Sequence, residues 1–141
     1  MSGQQLMALS IRQPYAQLVA GGTKTVEVRS WRTDYRGELL VCAGAAWADT
    51  DDAVDAWNQH LDEIDAILEA FPLGVAVGRV DLVDIVPMEP SLLEAAAMGE
   101  MPEGRAWAWK IANPRAFAPE ERFPVKGKLR LFQVDAPRIW Q

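Results

Sequence analysis

Eleven residues, Gly21-Gly22-Thr23-Lys24-Thr25-Val26-Glu27-Val28-Arg29-Ser30-Trp31, set the terms for the rest of the chain. A glycine pair opens a stretch in which β-branched and charged residues alternate. In an extended backbone, side chains two apart share a face. Thr25, Glu27, Arg29 and Trp31 therefore line one face, and Val26 and Val28 line the other. The valines belong against a core. The opposite face offers a carboxylate, a planar guanidinium fork and a large flat ring, with Lys24 at its entry. Those groups suit a planar, polar, partly anionic ligand, and a nucleotide fits that description.

The 141 residues suit one domain with one core, and half of them are apolar. No apolar run approaches the roughly 20 residues of a membrane span. Met1 to Gln5 has no cation and no apolar core of an export signal. The single cysteine, Cys42, lies in an apolar run and reads as a buried, inert thiol. A reducing, cytoplasmic setting follows as the expectation. The net charge of −6 is concentrated: eight acidic residues between Asp49 and Glu69 have no Lys or Arg among them. The rest carries 12 acidic against 14 basic residues. That permits a local phosphate site without a broad cationic surface.

Leu6 to Ile11 reads as a first strand, and Gln13 to Ala20 as a helix with proline in its first turn and glycines after its end. Glu38 to Ala43 is an apolar run, as in a strand covered on both faces. Residues 50–70 give a helix, with Val54, Trp57, Leu61, Ile64, Leu68 and Phe71 as its apolar stripe. Its acidic residues read as a solvated outer face, and the sole histidine, His60, as a surface or boundary residue rather than a ligand or base. Gly74 to Val86 is a long strand pattern in which Gly78 allows a close approach or a bend. Pro90 to Met98 reads as a short helix. Arg105 to Ala112 alternates as a strand ended by Asn113-Pro114, and Leu129 to Val134 is the last strand. Six or so strands with short helices suggest an α+β chain with a small closed or partly closed sheet. No Gly-x-Gly-x-x-Gly, metal-ligand spacing or catalytic triad is readable, and no cofactor is implied.

Leu9 to Ala16 followed by Gly22-x-Lys24-x-x-Glu27-x-Arg29 resembles the ASCH domain, the activating signal cointegrator homology family. Further matches follow in order: Tyr35 to Leu40, Val77 to Asp84, Asn113-Pro114, and Phe123 to Lys128. The resemblance covers nearly the whole chain, with a helical insertion at about 50–71. It implies a PUA-like small β-barrel with short flanking helices, a cleft, and a link to RNA or modified nucleosides. Tyr15 stands where many members have tryptophan. Some small members are amidohydrolases that deacetylate acetylated cytidine, with a threonine nucleophile three residues after the lysine. Glu27 occupies that position here. Other members have been linked to RNA cleavage, for which Lys24, Glu27 and Arg29 are the candidates.

The expected ligand-binding set is Gln13, Tyr15, Lys24, Glu27, Arg29, Ser30, Trp31, Trp109 and Lys126. In the leading reading Arg29 and Lys24 hold anionic or carbonyl oxygens, Glu27 reads a base edge, and Trp31 or Tyr15 stacks on the base. Trp57 and Trp107 are assigned to the core. Arg36, Lys126, Lys128 and Arg130 are candidates for a backbone track. The expected partner is single-stranded RNA or a modified nucleoside or nucleotide. The alternative is a hydrolase using Lys24 and Glu27. The acidic helix offers a separate surface for a protein partner.

Overall fold

A computed structural model describes residues 4–140, with the side chain of Ile139 left out. Six strands form one mixed sheet: β1 (Gln5–Gln13), β2 (Val26–Arg29), β3 (Gly37–Trp47), β4 (Ala76–Pro87), β5 (Trp107–Ala116) and β6 (Leu131–Asp135). Their order is β2-β5-β4-β3-β1-β6. Only β1 and β3 run parallel; the other pairs are antiparallel. The fold is thus α+β. The order has two ends, β2 and β6, and no pairing among the described residues joins them into the small barrel expected from the sequence.

Strand β3 shows why its sequence is apolar throughout. Leu39, Val41 and Ala43 point to one core, beneath helix α1 (Tyr15–Ala20), with Leu9, Val77, Val80 and Trp109. Leu40 and Cys42 point to a second core on the opposite face, with Leu6, Ala76, Phe117 and Phe132. Burial pushes the Cys42 thiol up to about 12. At Gly78 the helix meets the sheet: a Cβ there would stand 2.7 Å from the Ala20 Cβ and 2.8 Å from the Arg115 carbonyl oxygen. Only glycine permits that approach.

The ends of β1, β3 and β6 shift by a few residues, with Gln13 in β1 rather than the helix and Leu129 ahead of the last strand. Three further segments differ more from the sequence reading. The helix over 50–70 is interrupted: α2 (Asp51–Gln59), a 3-10 turn at Leu61–Glu63, and α3 (Ile64–Ala70). The break at His60 puts Leu61 in the 3-10 turn, where it is exposed, and on α2 the inward side falls on Ala53, which leaves Val54 exposed. Strand β5 passes through Asn113-Pro114 to Ala116, because Asn113 takes a left-handed φ of 52° and its amide bonds Asp81 at 2.8 Å. Segment 90–98 forms only a 3-10 turn at Pro90–Leu92 and further turns. Among the described residues no helix is long and apolar enough to cross a membrane.

Candidate functional site

Strand β2 is an edge strand, and its charged residues turn toward α1 and the end of β1. Lys24 and Glu27 are both buried, at 4% and 7% exposure. The Lys24 Nζ donates to the Ala96 carbonyl oxygen and lies 3.7 Å from Glu27 Oε1. It also sits 5.5 Å from the Tyr15 ring centre. The Lys24 pKa is lowered, first by desolvation and slightly by Arg29, while Glu27 opposes the fall. Glu27 Oε2 accepts from Arg29 Nη2 at 2.8 Å, and the Val28 N–H donates to Oε1 at 3.2 Å. The same Arg29 Nη2 donates to the Ser10 carbonyl oxygen at 3.0 Å, tying β2 to β1. The Arg29 Nε and Nη1 have no protein partner among the described residues.

Above these groups opens a cavity of about 660 Å³. One wall is Glu27, Arg29, Ser30 and Trp31; another is Ser10, Arg12 and Tyr15. Asp49 and Thr50 close the third side, and Lys128, Leu129 and Arg130 form the mouth. The volume falls within the roughly 300–1,000 Å³ of small-ligand sites. Arg12 is offset by Asp49 at 3.6 Å, both well exposed. Lys128 and Arg130 have no acidic partner among the described residues. Trp31 is fixed at its edge by Trp109, with ring centres 4.7 Å apart at 80°. Over it lies the Arg130 guanidinium, 5.0 Å from the ring centre.

Tyr15 and Thr50 share a hydrogen bond of 2.6 Å. Thr50 also caps α2, accepting from the Ala53 N–H. The same two residues line a second cavity of about 440 Å³. Its other walls include Asp51, Asp52, Met98, Glu100 and Glu103. Two cavities of opposite sign thus lie on either side of one bar.

The structure brings Tyr15, Glu27, Arg29, Ser30 and Trp31 together at the first cavity. It separates the others from it. Gln13 is fully buried and structural: its Nε2 donates to the Pro72 carbonyl oxygen and its Oε1 accepts from the Gln17 N–H. Trp109 is 0% exposed and belongs to the core, with its indole N–H on the Trp31 carbonyl oxygen. Lys24 is beneath the cavity rather than on its wall. Lys126 is exposed but outside the lining. Of the four cations considered for a backbone track, Lys128 and Arg130 reach the cavity. Arg36 instead bonds the Thr33 and Tyr35 carbonyls at 2.8 Å. Trp107 is half-buried beneath Arg32, and Trp57 is half-buried against Trp47, so neither is a fully enclosed core residue. Ser10, Arg12, Asp49, Thr50 and Leu129 were not expected at the site. None of them carried a local signal; Leu129 in particular reads as the first residue of a strand, where burial usually claims leucine.

The family described as ASCH domain matches residues 9–121 of this chain. Activating signal cointegrator 1 of Homo sapiens is 28% identical over 139 residues, spanning 91% of this chain and 22% of that protein. The Mus musculus protein of the same name is 27% identical over the same shares. The chain therefore spans about a fifth of these relatives' length. Among solved structures, an ASCH protein from Zymomonas mobilis aligns with a TM-score of 0.51 at 16% identity, covering 78% of this chain and 68% of that one. A single-substitution variant of the same protein aligns at 0.51 and 15%, covering 87% and 76%. At that identity the likeness concerns the fold.

Proposed function

This chain belongs to the ASCH domain family, and from that premise we propose that the cavity beside β2 binds a nucleotide of single-stranded RNA or a modified nucleotide. One observation carries the reading: Arg29 is held at two points by Ser10 and Glu27, yet keeps N–H groups unspent at a cavity of nucleotide size. A guanidinium fixed in advance loses little freedom when it meets a phosphate or carbonyl oxygen. Arg130, lying over Trp31, offers a flat cation against which a base can stack. Glu27 is largely committed to Arg29 and Lys24, so its role is to orient Arg29 more than to read a base edge.

Calorimetric titration with the four ribonucleoside monophosphates and with short RNA tests this. Arg29→Ala should weaken binding about tenfold or more, since a charge-assisted hydrogen bond is worth roughly 1.5–3 kcal/mol. Salt dependence should be shallow. Neutralising about two phosphates gives a slope near −1.4 in log K against log salt for a single strand. Binding that ignores Arg29 would sink the reading.

Turnover is the second reading, favoured by the lowered pKa of Lys24 beside Glu27. An amine more easily freed of its proton can serve as a base. Metal-free release of product from RNA or acetylated cytidine, abolished in Lys24→Met while ligand still binds, would establish it. Against it stands the position of Nζ, which donates to the Ala96 carbonyl beneath the cavity.

A further inference from the structure

Beside the cavity runs Lys126-Gly127-Lys128-Leu129-Arg130, just ahead of β6. Leu129 is 93% exposed, where among the described residues no other exposed large hydrophobic residue exceeds 54%. A lone exposed leucine means little. Three observations give this one a setting. It shares the cavity mouth with Lys128 and Arg130, so an apolar side chain stands between two cations. The segment is also seated on β1: a Cβ on Gly127 would come within 2.7 Å of Ser10 Oγ and 3.3 Å of its Cβ, so a larger residue would have to turn the serine hydroxyl aside. Ser10 is the residue whose carbonyl receives Arg29. The seat of the segment and the anchor of the cavity's cation are thus one residue. Finally, Arg130 adopts a left-handed φ of 57°, and from there its guanidinium covers Trp31. That conformation is unfavourable for a non-glycine residue and persists only where surrounding contacts offset it, of which the stacking on Trp31 is one.

We propose that Leu129 and Lys128 form a second subsite, for the nucleotide adjoining the one in the cavity. The ligand is then a single strand of at least two nucleotides rather than a free nucleoside. This rests on reading the cavity as a nucleotide site. Leu129 gives the neighbouring base or ribose an apolar surface, and Lys128, which has no acidic partner among the described residues, takes the linking phosphate. A lone nucleoside would leave both side chains in water. The local charge permits a short anionic strand: Lys128 and Arg130 stand on the mildly basic part of the chain, and of the acidic block at 49–69 only Asp49 lines the cavity.

The test is calorimetric titration of the full chain with a ribonucleoside monophosphate, then with oligoribonucleotides of two and three residues of the same base. Affinity should rise about tenfold from one nucleotide to two, the gain of one added apolar contact and one phosphate. Leu129→Ser and Lys128→Ser should each close most of that gap. Both side chains are exposed, so the variants should keep the wild-type unfolding midpoint. Two results overturn the proposal: no gain with length in the wild type, or variants that weaken both lengths by the same factor. If the monophosphate binds and depends on Arg29 while the length step is missing, the cavity reading survives and the second subsite falls. If no length binds, both fall together.

Discussion

The two cavities flanking the Tyr15–Thr50 bar differ in sign and also in how their charges are held. In the first, Arg29 is bonded to a backbone carbonyl and to a buried carboxylate, which is itself backed by Lys24. In the second, Asp51 and Asp52 sit on the first turn of α2, and Glu100 and Glu103 on a loop. Among the described residues none of those four has an ion-pair partner. The helix dipole and water account for the first pair, and water alone for the second. Charges fixed beforehand are ready for a ligand, whereas solvated ones must be ordered at the moment of binding. Two charged cavities side by side can thus differ in preorganisation, and the proposed ligand site is the one with buried bonds behind its charge.

The largest effect should come from removing the carboxylate behind the first cavity. Glu27→Ala leaves Lys24 buried without its counter-charge and should cost roughly 3–5 kcal/mol, as breaking buried pairs does. Urea unfolding would measure it. A loss no greater than that of an ordinary surface change would mean that the cluster is not preorganised, and the contrast between the cavities would collapse.

Next in size is the bar itself. Tyr15→Phe removes a hydroxyl shared with Thr50 and should cost about 1 kcal/mol in the same assay. If the bar separates the two chemistries, the variant should bind nucleotide less selectively, with added amines competing where they do not in the wild type.

A pH comparison sharpens the role of Lys24. Its folded pKa lies below the unfolded 10.5, so the folded chain releases this proton first. The unfolded state then binds more protons in the window just below 10.5, and stability from this group rises with pH there. The wild type should therefore gain on Lys24→Met between neutral pH and pH 10. Cys42 works the other way above 9.0, but it is common to both proteins and cancels. Wild-type stability that falls relative to Lys24→Met as pH rises would refute the lowered pKa.

The smallest effect is expected across the bar. Asp52→Asn and Glu103→Gln should leave both the unfolding midpoint and nucleotide affinity near wild type, because exposed charges without partners contribute little. A clear loss of binding in either would show that the acidic cavity takes part in the same ligand.

Much of this was written locally. The alternation from Thr25 to Trp31 assigned the faces of β2, and the even apolarity of Leu39 to Ala43 foretold burial on both sides of β3. The ordered motifs from Leu9 to Lys128 identified the family. Local pattern failed where distant packing or geometry intervened. The stripe from Val54 to Phe71 had the right spacing, but the helix breaks at His60, and Val54 and Leu61 are left exposed. Asn113-Pro114 carries the chemistry of a strand end, yet the side-chain bond to Asp81 holds β5 through it.

The sequence by itself determined the strand that carries the candidate site, the residues sharing its face, and the family. Only the tertiary structure decided which of those residues are open. Lys24 looked like the entry to the cleft and instead gives its proton donor to Ala96, 72 residues away. Trp109 could stack or pack, and the core claimed it. Leu129, with every local reason to be buried, stands at the cavity mouth. The physical reason is that alternation fixes the direction of a side chain relative to its own strand. Its exposure depends on what lies opposite, and that is set by contacts between residues far apart in the chain.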